Sequence, residues 1–407
     1  MPFLFGIIPS SSGADFRIAA LCADRKVWQF GSEWLYLHVK NVKNSGSMGV
    51  NTVLSLLTVV LMTSCGEAGG GARVHYDDSK AKGFLESECV ARITVVPLET
   101  SEECMVSSRS GVICHNGDYI VYGIDAPVRR FDSEGRFLND VGGLGDASDR
   151  YRCDESVRVL GDTVRIRDTA DGLCRHYTLG GEFVCSHECT HDSEVLSEIT
   201  AGDVSYKLYF YDHDNGYRLA EMVGDSVVRT FLPVRTRDLN IGLADMELMC
   251  ESGGEIWFTE LLSDEITGVS DGKLKILYEF DMGRYAAPKN AEAMRMDEFE
   301  AVLRKGGMAM NVKLHAMERY VILVRTVADE NNTVIYMLLD SASGEWSFVK
   351  TGAGEMFGGM PYFDDNGGIV FISPADKVLG HVGLPFSDAI KGLDENSNSV
   401  IIRVELR

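Results

Sequence analysis

No run in this 407-residue sequence is long enough to cross a bilayer as a helix. The uncharged apolar stretch Val53 to Met62 has ten residues, where a span needs about 20. Positive charge is also short: 39 Lys and Arg stand against 61 Asp and Glu, a net charge of −22 with no basic patch to offset it. That balance repels phosphate backbones, so nucleic acid is excluded as a partner and anionic membrane surfaces are disfavoured. Cysteine is too sparse for a disulfide scaffold. Eight follow Cys65 (89, 104, 114, 153, 174, 185, 189 and 250), and their spacing leaves roughly a hundred pairings open.

What is present begins with Val53 to Met62. Ten apolar residues fit the core of a secretory signal. Met62-Thr63-Ser64-Cys65 follows and resembles the bacterial lipobox, in which small residues flank the cut and a thiol carries the lipid. Gly69-Gly70-Gly71 then makes a tether, which argues against the alternative of a buried strand. The expectation is cleavage between Ser64 and Cys65, with Cys65 lipidated. The 47 residues before Met48 show no sustained period, and Lys40 and Lys43 suit the basic start of a signal. Residues 1–47 therefore read as a mis-called leader, with a short extra domain as the alternative. The expected division is leader 1–47, signal 48–64, tether 65–89 and folded domain 90–407.

From Ala91 onward, short β-branched and aromatic runs alternate with turn signals. Tyr119 to Tyr122, Ile256 to Phe258, Tyr320 to Val324 and Ile369 to Ile372 read as strands. Asn116-Gly117, Asp271-Gly272 and Ser343-Gly344 read as the turns between them. One segment differs: Pro288 to Lys305 opens with proline, ends before Gly306-Gly307, and spaces Met296, Phe299 and Leu303 along one helical face. "RRFDSEGRFL" at 129–138 repeats as "RHYTLGGEFV" at 175–184, an offset of 46 residues that suits one four-stranded propeller blade. The 318 residues from Val90 leave room for six blades.

"ITVVPLET" (93–100), "VRRFDSEGRFLNDVGGLGDASDRY" (128–151), "GEIWFTELLSDEITGVSDGKLKILYEFDMGRY" (254–285) and the closing "ENSNSVIIRVELR" resemble the six-bladed β-propeller lipoproteins of Bacteroidetes. The 128–151 segment is similar to an NHL repeat, and the whole to NHL-like or TolB-like propellers. The resemblance implies an all-β six-bladed ring with one helical insertion near 288–305. Its ends would share a blade, because Ile93 and Val95, like Ile402, Val404 and Leu406, alternate along apolar faces.

Candidate chemistry is thin. Gly268-Val269-Ser270-Asp271-Gly272 matches a hydrolase elbow, but a strand follows where a helix is needed, so it reads as a hairpin turn. Asp212 to Gly216 opens like a calcium loop yet has Val223 at its twelfth position, and also reads as a turn. Cys185, His187, Cys189 and His191 alternate, a weak metal candidate: a straight strand spreads them over roughly 20 Å. A disulfide or solvated strand-end residues are the alternatives. Thr163, Thr169, Ser226 and Ser341 each follow an Asp in tripeptides resembling the Bacteroidetes O-glycosylation sequon, all expected in solvent at blade edges. No catalytic residue and no cofactor is assigned. The expected function is a lipid-anchored binding or scaffolding module of the cell envelope. It would be monomeric, held at the membrane only by its lipid, and partnered by an unidentified envelope protein or glycan. A metal-dependent hydrolase or lactonase using the central channel is the alternative. Only Glu67 follows the cysteine before Asp77-Asp78, which places the chain on the periplasmic side of the outer membrane rather than the surface.

Overall fold

Asn116 and Gly117 both take positive φ (52° and 89°), as do Asp271 and Gly272 (50° and 69°), so these pairs form the tight hairpin turns their chemistry favours. Such turns fold each strand back on the last, and the result is a ring of small antiparallel sheets. The computed structural model describes residues 25–30, 33–38 and 71–407, apart from 107–109, 124–125, 154–155, 169, 189–194, 210–215, 225, 235–240, 244–245, 289–290, 292–293, 306, 353–354, 365 and 381–385. Six sheets form a six-bladed β-propeller. In chain order they are blade 1 (110–141), blade 2 (156–188), blade 3 (195–233), blade 4 (249–281), blade 5 (309–351) and blade 6 (362–406).

Blade 6 closes the ring. Its third strand, Val400–Leu406, pairs on one side with Gly368–Ser373 and on the other with Val90–Pro97, from the start of the domain. The alternating Ile402 and Val404 are fully buried, so the two chain ends are held by one apolar sheet. Closure removes an exposed pair of edges.

The 46-residue repeat has a packing cause. It covers the outer hairpins of blades 1 and 2, where Phe131 and Tyr177 are fully buried. A Cβ on Gly135 would lie 2.2 Å from the carbonyl oxygen of Pro97, and one on Gly181 would lie 2.2 Å from that of Asp140. Each residue is the outer-strand carbonyl of the preceding blade. The glycine recurs because neighbouring blades touch there, backbone against backbone.

Residues ahead of Val90 run along the ring. Ala72–His75 adds a fifth, parallel strand to blade 4 beside Lys273–Asp281. Tyr76 packs edge-on against Phe348, Lys82 bridges Val349, and fully buried Phe84 sits among Tyr336, Phe357 and Phe371. This segment straps blades 4, 5 and 6. A separate hairpin, Arg25–Phe30 with Glu33–His38, pairs with Ile241–Leu243.

The helix is shorter than its sequence pattern, covering Met296–Lys305. The Arg295 N–H donates to the Glu298 carboxylate at 3.2 Å, which caps the helix start eight residues after Pro288. Phe299 and Leu303 bury the expected stripe in the core. A second short helix, Ala375–Leu379, lies in the blade 6 insertion. Among the described residues no helix is long and apolar enough to cross a membrane.

Candidate functional site

Strand order gives the ring two unlike faces. On one, every connection is a turn of two to five residues, such as 116–117, 161–162, 271–272 and 364–367. On the other lie the links between blades and between each blade's middle strands, including 98–109, 142–155, 282–308 and 374–399. Both helices belong to this second, loop-built face.

One loop of this face, Thr259 to Asp264 in blade 4, is fixed by residues from two neighbouring blades. Fully buried Asn311 of blade 5 donates through Nδ2 to Thr259 Oγ1 and to the Glu260 and Ser263 carbonyls, each at 2.7 Å. Arg325, also in blade 5 and fully buried, donates to Asp264 Oδ1 at 2.6 Å. Burial pulls the pKa of this guanidinium down, with Asp264 opposing, and its Nε and Nη1 have no partner among the described residues. From the other side, Arg218 of blade 3 pairs with Glu260.

Beside this loop is a cavity of about 590 Å³. Leu232, Leu262, Ile276 and Pro288 supply apolar wall, while Glu260, Asp264 and Glu265 supply carboxylates. A mostly polar site with three carboxylates and some apolar wall suits a ligand with a cationic or hydroxyl-bearing end.

A second cluster follows the inner strand of blade 5, Ala309–Ala316. Lys313 is 1% exposed, its Nζ 4.4 Å above the Tyr362 ring, with no ion-pair partner among the described residues. His315 stacks on Phe363 at 4.0 Å. Burial lowers the His315 pKa and Lys313 adds to this, while Glu247 and Asp364 oppose it.

The residues singled out in the sequence lie elsewhere. Ser64, Cys65, Cys189, His191 and Thr169 lie outside the described residues. Cys185, a free exposed thiol, and His187 sit on the outer strand of blade 2, opposite His176 and Cys174 of the next strand. His176 and His187 have ring centroids 5.1 Å apart, and Cys174 is disulfide-bonded. Among the described residues no group of three His, Cys, Asp or Glu is placed to hold a metal ion. Ser226 and Ser341 are exposed, and the Thr163 hydroxyl donates to the Leu160 carbonyl at 2.9 Å. Asp168, which precedes Thr169, is fully buried and ion-paired with Arg175. Ser270 ends a strand directly before the Asp271-Gly272 turn, so the hydrolase-like motif is a hairpin. Neither the arginine-fixed loop nor the Lys313 cluster was signalled in the sequence, because both assemble from separate blades.

These features define a six-bladed β-propeller with one plain face and one loop-built face. The chain belongs to the family described as a domain of unknown function (DUF4934), matched over residues 74–405. It is similar in fold to a Bacteroides fragilis protein described as exported, with a TM-score of 0.61 at 11% identity over 83% of this chain and all of that one. It is also similar to a member of the DUF4221 family from Bacteroides vulgatus, with a TM-score of 0.50 at 11% identity, covering 78% of this chain and 97% of the other. No curated protein matches the chain.

Proposed function

We propose that this protein is a lipid-anchored binding module of the bacterial envelope, held through Cys65 and taking its ligand on the loop-built face. The carrying observation is the cavity of about 590 Å³ at the junction of blades 3 and 4, with arginine-paired carboxylates and some apolar wall. The net charge of −22 favours a basic peptide or a neutral glycan over an anion. The exported Bacteroides fragilis neighbour supports an envelope location.

The test is a melting assay with lysine-rich peptides and with neutral oligosaccharides, run on the parent and on Ala287→Trp, which fills the cavity wall. A ligand at about a hundred times its Kd adds roughly 2.7 kcal/mol to the parent. Ala287→Trp should melt as the parent does without ligand and gain nothing with it. An equal gain in both proteins rejects the cavity as the site. The metal-dependent hydrolase reading makes a different forecast, namely that a chelator lowers the melting temperature of the purified protein.

A further inference from the structure

We infer that the plain face of blades 2 to 4 rests on the lipid bilayer that holds the chain's own anchor, turning the loop-built face away from it. This rests on the Cys65 anchor proposed above.

The first ground is the direction of the strap. Ala72–His75 runs parallel to Lys273–Asp281, which rises from the Asp271-Gly272 turn towards the loop-built face. The chain therefore enters blade 4 from the plain-face side, with Gly71 packed against Ile276 and Leu277. Five residues lie between Gly71 and Cys65, six Cα steps with a reach of at most about 20 Å. The turn at Asp271 lies about 20 Å down the strand from Leu277, at the limit of that reach. To arrive at the other face, the tether would have to reverse and pass its own strand.

The second ground is where large apolar side chains are exposed. Phe183 and Val184 begin the outer strand of blade 2, Val227 and Val228 that of blade 3, and Leu274, which also lines the near end of the cavity, follows the turn in blade 4. Val223 ends the strand before the blade 3 turn. All sit at the plain-face end, with exposures from 36% for Leu274 to 53% for Val228. Single exposed apolar residues are ordinary, but a set at one end of three consecutive blades marks a contact surface.

The third ground is the charge around them. Lys273 and Lys275 flank Leu274, and the Arg229 guanidinium, ion-paired with Glu221, lies over Gly272. Apolar side chains among long cationic ones suit the headgroup boundary. Asp162, Glu182, Asp203 and Asp271 occupy the same turns, which selects zwitterionic rather than strongly anionic lipid. At the same end of blades 5 and 6 the described residues form the Arg319–Asp340 and Arg403–Asp364 pairs and expose no large apolar side chain. The ring thus leans onto the membrane by blades 2 to 4.

The test uses the full chain in opened envelope fragments, carrying Val228→Cys or, on the loop-built face, Met105→Cys. A membrane-impermeant maleimide is applied before and after detergent extraction, and labelling is read site by site by peptide mass spectrometry. Labelling at Val228→Cys should be roughly tenfold slower in membranes, the protection expected from burying one side chain of this size, and detergent should restore it. Labelling at Met105→Cys should not change. Equal labelling of both positions, or protection at Met105→Cys, overturns the orientation while leaving the anchor intact. Fractionation of Cys65→Ala reads the anchor separately. If that variant still pellets, or the parent is soluble, the anchor and the orientation fall together. A glycan found on Thr163 or Ser226, which share this rim, also overturns the orientation.

Discussion

Blades 5 and 6 and blades 2 and 3 are built to one plan yet are buried very differently. In blade 5 the outer strand, Trp346–Thr351, has no exposed residue. The outer strand of blade 2, Phe183–Glu188, is exposed at every residue, and that of blade 3 at most of its residues. The strap accounts for much of this: it crosses blades 4 to 6 and leaves blades 1 to 3 bare. Among the described residues the chain covers the outer strands of half the ring.

Breaking the closure tests the comparison hardest. Deleting Val400–Arg407 removes a middle strand of blade 6 and strips Val90–Pro97 of its partner. The whole domain should lose its cooperative melt, in bare and strapped blades alike. A truncated protein that melts as the parent does refutes the closed ring as the source of stability.

The next largest contrast comes from single side chains. Phe84→Ala, in the strap, opens a cavity among Tyr336, Phe357 and Phe371 and should cost about 3–5 kcal/mol in urea unfolding. Val228→Ala, on a bare blade, should stay within about 0.5 kcal/mol. Similar costs at the two sites would mean that the strap adds little. A smaller effect separates two glycines at positive φ. Gly181→Ala puts a Cβ 2.2 Å from a backbone carbonyl and should cost about 3 kcal/mol, whereas Gly202→Ala meets nothing within 4 Å and should cost about 1 kcal/mol.

Gly181 also marks how far the sequence could be read. The repeat was visible because adjacent blades meet at the same backbone contact in each unit, so the same residues recur. The shared closing blade was visible for a similar reason, since alternation along two short segments needs no knowledge of their partner. The strap was not visible: Phe84 and Tyr76 stand alone in a segment without period, and their burial comes from residues more than 200 positions away. The Thr259–Asp264 loop shows the same limit. Arg218, Asn311 and Arg325 are fixed by contacts between blades, and nothing in their local sequence distinguishes them from solvated residues.

The smallest expected effect is on pH dependence, and it separates the two halves once more. Burial lowers the pKa of both His315, in strapped blade 5, and His176, in bare blade 2. A histidine whose folded pKa lies below its unfolded value of about 6.5 stabilises the fold above that pH, and the contribution is lost as pH falls towards the folded pKa. The window is distinct from that of the carboxylates: Asp340, held down to about 2 by Arg319, loses its share only in stronger acid. His315 is stacked on Phe363 next to Lys313, so charging it requires the blade to open. His176 lies one strand in from the fully exposed edge Phe183–Glu188, where local fraying lets a proton in without global unfolding. Urea unfolding at pH 7.5 and 5.5 should therefore show stability falling with acid, by at most about 1.4 kcal/mol per pH unit for each proton. His315→Gln should flatten that slope and His176→Gln should leave most of it. If His176→Gln is the variant that flattens it, the bare half is more tightly closed than its exposure indicates.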